Sequence, residues 1–182
     1  MNPIQNAATV FVIAIFWVLL DYLNKRYFSF LQVSDFVYSI YWLSGIRLIA
    51  VILFGWLGVL GIGIGYVVGG ISIRGFTPQD ALALGILSAL APLIAYRVWQ
   101  HWTGINNDFK DVGIKQLFAL VLLHSVLTAI FRNAYFLSAG KPNGLNQILT
   151  LFSANIVGTF LLLYLFRYLR HFYKLIDRKS TR

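Results

Sequence analysis

The sequence has no cysteine, a single methionine and few charges of either sign. Without cysteine, disulfides, thiolate metal sites and cysteine nucleophiles are excluded. Charged residues make up 12% of the chain, against about 25% in soluble domains. All six acids are aspartates: Asp21, Asp35, Asp80, Asp108, Asp111 and Asp177. Asp108 and Asp111 are the only close pair, and they share a polar stretch with Lys110. No HExxH or GxSxG pattern occurs, and no intramembrane carboxylate pair, so no enzymatic activity is expected. The three histidines, His101, His124 and His171, have no ligand spacing, so neither a metal nor another cofactor is expected.

What remains is overwhelmingly apolar. Hydrophobic residues account for 59% of the chain, and mean hydropathy is +0.74. A soluble domain of this composition would have no surface to show to water. At about 20 apolar residues per span, the length accommodates about six transmembrane helices. The expected fold is all-α, a single polytopic bundle over residues 1–182. Its helices are placed at about 8–24, 40–56, 58–73, 79–99, 113–137 and 145–167, followed by a basic tail at 168–182. Val10–Leu20 lacks a basic flank and a cleavage pattern, so it reads as a retained first helix.

Residues 40–73 form a nearly uninterrupted apolar run with one charge, Arg47. One helix of that length would reach about 51 Å, far beyond a hydrocarbon core of about 30 Å. A short hairpin of helices 2 and 3, turning at Gly55-Trp56-Leu57-Gly58, resolves the excess. The alternative is one span plus a re-entrant segment. Tyr27–Ser39 is aromatic and mixed, which suits the membrane interface. Thr77-Pro78-Gln79-Asp80 reads as a helix start: a capping hydroxyl, proline at the first helical position, and an acid at the positive end.

Net charge is +9, and six of the fifteen basic residues lie at the end of the chain: Arg167, Arg170, Lys174, Arg178, Lys179 and Arg182. In so apolar a chain this is a juxtamembrane tail that meets anionic lipid, not nucleic acid. The positive-inside rule then places both termini in the cytoplasm. Arg97, Lys110 and Lys115 share that side, while Lys25, Arg26, Arg74, Arg132 and Lys141 lie outside.

Polar residues inside spans are the candidates for function. Arg47 falls about 10 Å into the second helix from its outer end. Asp21, Arg132 and Asn155 come from three other helices at a similar depth, with Tyr41 and Trp42 at the mouth. One reading is an outward-facing cationic pocket for a small anionic ligand or lipid headgroup. Arg47, Arg132 and Asn155 contact the ligand, and Asp21 tunes Arg47. The competing reading is an Asp21–Arg47 ion pair that locks the bundle, with Arg132 snorkelling to the surface. His124, mid-span, could sense pH or simply hydrogen-bond a neighbouring helix. Gly61, Gly65 and Gly69 form a small-residue stripe for close helix packing, against a partner inside or outside the chain.

The stretch Tyr41-Trp42-Leu43-Ser44-Gly45-Ile46-Arg47 and onward to Trp56 resembles the second-helix signature of the MASE1 family, bacterial integral-membrane sensory domains. Gly61–Gly70 resembles that family's glycine-bearing third helix, and Phe152–Thr159 its late helix. The resemblance covers about half the chain. It implies a sensory, ligand-binding module embedded in a bacterial inner membrane. The chain stops after a short basic tail, so signalling is expected through a separate partner protein. Two other functions fit the residues: a non-catalytic scaffold subunit built on the glycine stripe, or the substrate-binding component of a transporter.

Overall fold

A computed structural model describes residues 2–34, 36–104, 112–141 and 144–180, with 166–180 as backbone only. Expectations placed on Asp35, on residues 106–111 and on the side chains of the basic tail lie outside the described residues.

Six α-helices run in order: α1 (Pro3–Tyr27), α2 (Leu43–Phe54), α3 (Trp56–Ser72), α4 (Pro78–Thr103), α5 (Ile114–Ser138) and α6 (Leu145–Ser180). Four of them, α1, α4, α5 and the Leu145–Leu165 part of α6, are long and apolar enough to cross a membrane. The protein is thus a multi-pass helical membrane protein. Helix starts follow local chemistry. Asn2 caps α1, earlier than the expected 8, by accepting from the Ile4 amide while Gln5 reaches back to the Asn2 amide. Thr77 caps α4 by accepting from the Asp80 amide at 3.2 Å, with Pro78 at the first position as expected. The α2–α3 hairpin turns at Gly55, whose φ of +55° and ψ of −125° only glycine adopts freely.

The glycine stripe finds its partner inside the chain. A Cβ on Gly61 would strike Ile13, one on Gly65 would meet the Ala14 carbonyl at 2.7 Å, and one on Gly69 would meet Asp21 at 3.0 Å. Both sets of numbers rise together, so α3 packs parallel to α1. On its other side α3 runs antiparallel to α4, pairing Gly63 with Ala89 and Gly70 with Ala81.

The α1–α2 connection, expected at the interface, begins exposed at Tyr27, Phe30 and Val33 and ends buried. Residues Ser29–Leu31 form a 3₁₀ turn, and β1 (Gln32–Ser34) pairs antiparallel with β2 (Val37–Tyr38), Gln32 opposite Tyr38. Val37, Tyr38 and Tyr41 are buried. The Tyr41 amide donates to the Ala154 carbonyl, in the third turn of α6, at 3.2 Å. Its second part, from Phe36 to Tyr41, is a plug that descends into the bundle. It leaves α2 only about 18 Å long, and α2 starts deep: Ser44, in its first turn, meets His124 near the middle of α5. Irregular backbone at membrane depth is stable only where protein surrounds it and satisfies its polar groups. The plug meets that condition by docking on a glycine: a Cβ on Gly158 would sit 2.1 Å from the Tyr41 carbonyl oxygen.

Gly158→Ala and Gly65→Ala should each destabilise the purified protein by about 1–3 kcal/mol, because the added methyl meets backbone that cannot rotate away. Gly63→Ala, with only an ordinary 3.7 Å contact to Ala89, should be neutral or stabilising. Thermal unfolding in detergent checks all three; equal behaviour of Gly65→Ala and Gly63→Ala would contradict the packing described.

Candidate functional site

The site lies at the distal end of the bundle, remote from both termini, where α1 and α3 finish and α4 begins. Arg74, in the short α3–α4 connection, is its centre. Its Nε donates to Asp21 of α1 at 2.9 and 3.1 Å, and its Nη2 pairs with the same carboxylate. Both side chains are buried. The guanidinium lies within 6 Å of the rings of Tyr38, Tyr41, Tyr66 and Phe76 and donates to the Tyr41 hydroxyl at 3.3 Å. Burial disfavours its charge, but the oxygens of Tyr41, Asp21 and Tyr66 outweigh that and hold its pKa well above the ordinary value.

Asp21 is thus paired with Arg74 rather than Arg47, which corrects the expected Asp21–Arg47 bridge. The parallel packing of α3 on α1 carries the residues after Gly69 past Asp21, so Arg74 reaches the carboxylate first. Arg47 is completely buried one turn into α2. Its Nη2 donates to Asn155 Oδ1 at 3.0 Å and to Ser44 Oγ at 3.3 Å, and its face lies 5.4 Å from the Tyr41 ring. Ser44 Oγ is 3.0 Å from His124 Nε2, so one polar chain ties α5, α2 and α6 together. Arg47 Nε and Nη1 have no hydrogen-bond partner among the described residues.

Arg132 of α5 does not snorkel. It is 3% exposed, and its Nη2 donates to the Phe36 carbonyl of the plug at 2.7 Å while its Nε has no partner among the described residues. The turn of chain after it is held by a second ion pair, Lys141–Asp80, to which the Tyr135 hydroxyl donates at 2.6 Å.

Of the six expected ligand residues, Tyr41, Arg132 and Asn155 line one small void, together with Phe36, Tyr38, Arg74, Leu151 and Ala154. Its volume is about 10 Å³, room for one water-sized body. Arg47 adjoins it through Asn155. Trp42 stands apart: its indole N–H donates to Asn24 at 2.8 Å, pinning the plug to α1. The sequence reading passed over Arg74, Ser44, Tyr38 and Tyr66. Arg74 was countable only as a loop cation, and nothing in its neighbours announces a buried aromatic box. Among the described residues no cluster of three potential metal ligands occurs.

Asp21→Asn leaves the Arg74 charge buried without its carboxylate and should cost about 3–5 kcal/mol. Replacing both, Asp21→Leu with Arg74→Met, should restore most of that loss, because two apolar groups replace two desolvated charges. Thermal unfolding of the two variants side by side checks this; a double variant weaker than Asp21→Asn would show that Arg74 is held by its aromatic box more than by the carboxylate.

No curated protein and no solved structure matches this chain. A family model described as MASE1 matches residues 8–181, well beyond the half of the chain that carries the visible resemblance. The match takes in α1, the plug, the hairpin and the arginine-bearing turns alike, and the chain belongs to the MASE1 family of membrane-associated sensory domains.

Proposed function

We propose that this membrane sensory module recognises a small anionic ligand at the distal end of the bundle, through Arg47, Arg132 and Asn155, with Arg74 and Tyr41 shaping the site. The observation that carries this reading is a charge imbalance. Three guanidinium groups, Arg47, Arg74 and Arg132, are buried within mutual electrostatic reach. Among the described residues only Asp21 faces them as a carboxylate, and Arg74 engages it. Tyrosines are neutral near pH 7, and arginine does not give up its proton. Among the described residues, two positive charges therefore sit in an apolar bundle without counter-charge, an arrangement that costs several kcal/mol per ion and that marks functional sites in membranes.

With the basic tail retained in the cytoplasm, the distal end faces away from it. Ligand would reach the arginines past the plug, whose Phe36 carbonyl occupies Arg132. Asn155 then connects the site to α6, which runs unbroken to Ser180. A ligand that binds one plug position better than another shifts the population of α6 positions with it. The basic tail meets anionic lipid, and the output passes to a partner protein or to domains joined to α6. The scaffold alternative is less well supported, because α1 already covers the glycine stripe it would use.

The protein purified in mild detergent should retain a defined anionic species, detected by native mass spectrometry. Arg47→Gln should reduce its occupancy about tenfold or more while keeping the elution profile and tryptophan fluorescence of the folded protein. Retention of bulk lipid alone by both proteins would count against a ligand site.

A further inference from the structure

We infer that the anion taken up here is a small monovalent one of the chloride class, seated against Arg132 in the void that Asn155 lines, with Arg47 adjoining through Asn155; this rests on the anionic-ligand reading above and narrows it. Three independent features point the same way. The first is size. The void is about 10 Å³, the size of a single water, so a monatomic anion, somewhat larger than water, enters with only a small outward shift of the walls. A tetrahedral oxyanion or a lipid headgroup would have to expel the plug.

The second is the chemistry of the free groups. Among the described residues, Arg132 Nε, Arg47 Nε and Arg47 Nη1 are buried N–H donors without partners, and the Tyr66 hydroxyl beside Arg74 is also unpartnered. Three acceptors that touch these arginines are already engaged: Asn155 Oδ1 by Arg47, the Phe36 carbonyl by Arg132, and the Asp21 carboxylate by Arg74. The free guanidinium N–H groups can only donate, and they suit a ligand that only accepts, which is what a halide does. Unpaired buried donors of this kind call for a ligand, water or ion.

The third is enclosure. Arg47 is fully buried and Arg132 nearly so, and the Phe36, Tyr38 and Tyr41 rings wall the void on the plug side. Such walls exclude bulk water and strengthen charge–charge attraction. A single negative charge there also offsets the repulsion that Arg132 exerts on the buried Arg47.

The test uses the full chain in mild detergent, with chloride as the probe. Thermal unfolding by tryptophan fluorescence is compared in sodium gluconate and sodium chloride at equal ionic strength, so that general screening is the same. Going from gluconate to about 200 mM chloride should raise the midpoint saturably by about 5 °C, with bromide acting likewise. Arg47→Gln and Arg132→Gln should each abolish the rise. Chlorine NMR on the unmodified protein should show excess line broadening that bromide displaces, a readout independent of any variant. Identical midpoints in gluconate and chloride, absent broadening, or a rise that survives in both variants would each overturn the inference. A saturable rise with phosphate but not chloride would overturn the small-anion assignment while leaving the anionic site standing. No response to any anion would remove both.

Discussion

The cost of holding guanidinium charge inside an apolar bundle governs this structure. Arg74 meets it with a bidentate carboxylate and four aromatic faces. Arg132 meets it in part, with one backbone carbonyl of the plug. Arg47 meets it with neutral groups, Asn155, Ser44 and the Tyr41 ring. Each solution conscripts a different element. The result is that α1, the plug, α2, α5 and α6 are all tied to one small volume at the distal end. The plug in particular has no reason to lie so deep in a membrane except that its carbonyls and aromatic rings solvate these cations.

Parallel packing of α3 on α1 is the second determinant. Small residues let the two helices approach until backbone meets side chain. That approach fixes which residue after Gly69 stands over Asp21, and hence which arginine receives the carboxylate. The mid-depth chain of His124, Ser44, Arg47 and Asn155 then spans from α5 to α6 through α2. Electrostatics at the distal end and packing along the glycine stripe are therefore one problem. A substitution in either reaches the other through Asp21.

Much of the fold can be read from residues alone, where the signal is local. Thr77, Pro78 and Asp80 announce the start of α4; the length of the apolar run 40–73 demands a hairpin; Gly55 supplies its turn. The meeting of Arg47, Asn155 and Arg132 follows from placing polar residues at similar depth on neighbouring helices. The Arg74–Asp21 pair does not, because it depends on the relative direction of α1 and α3. A stripe of glycines shows that something packs closely but not which way it runs. The depth of the plug is hidden for a different reason. Tyr and Phe are as well suited to the headgroup region as to a buried box around a cation, so composition cannot separate the two.

Gly158 has a mechanical consequence. It is the only glycine in α6, and neither glycine nor proline follows it before Ser180. The helix beyond it is a stiff rod about 33 Å long. The softest point of α6 is therefore also the point on which the plug backbone rests. A bend of about 10° there swings the far end of the helix by about 6 Å. A displacement no larger than a hydrogen bond at the pivot becomes one wider than a helix radius at the tip, and the direction of swing is set by the side from which the plug presses.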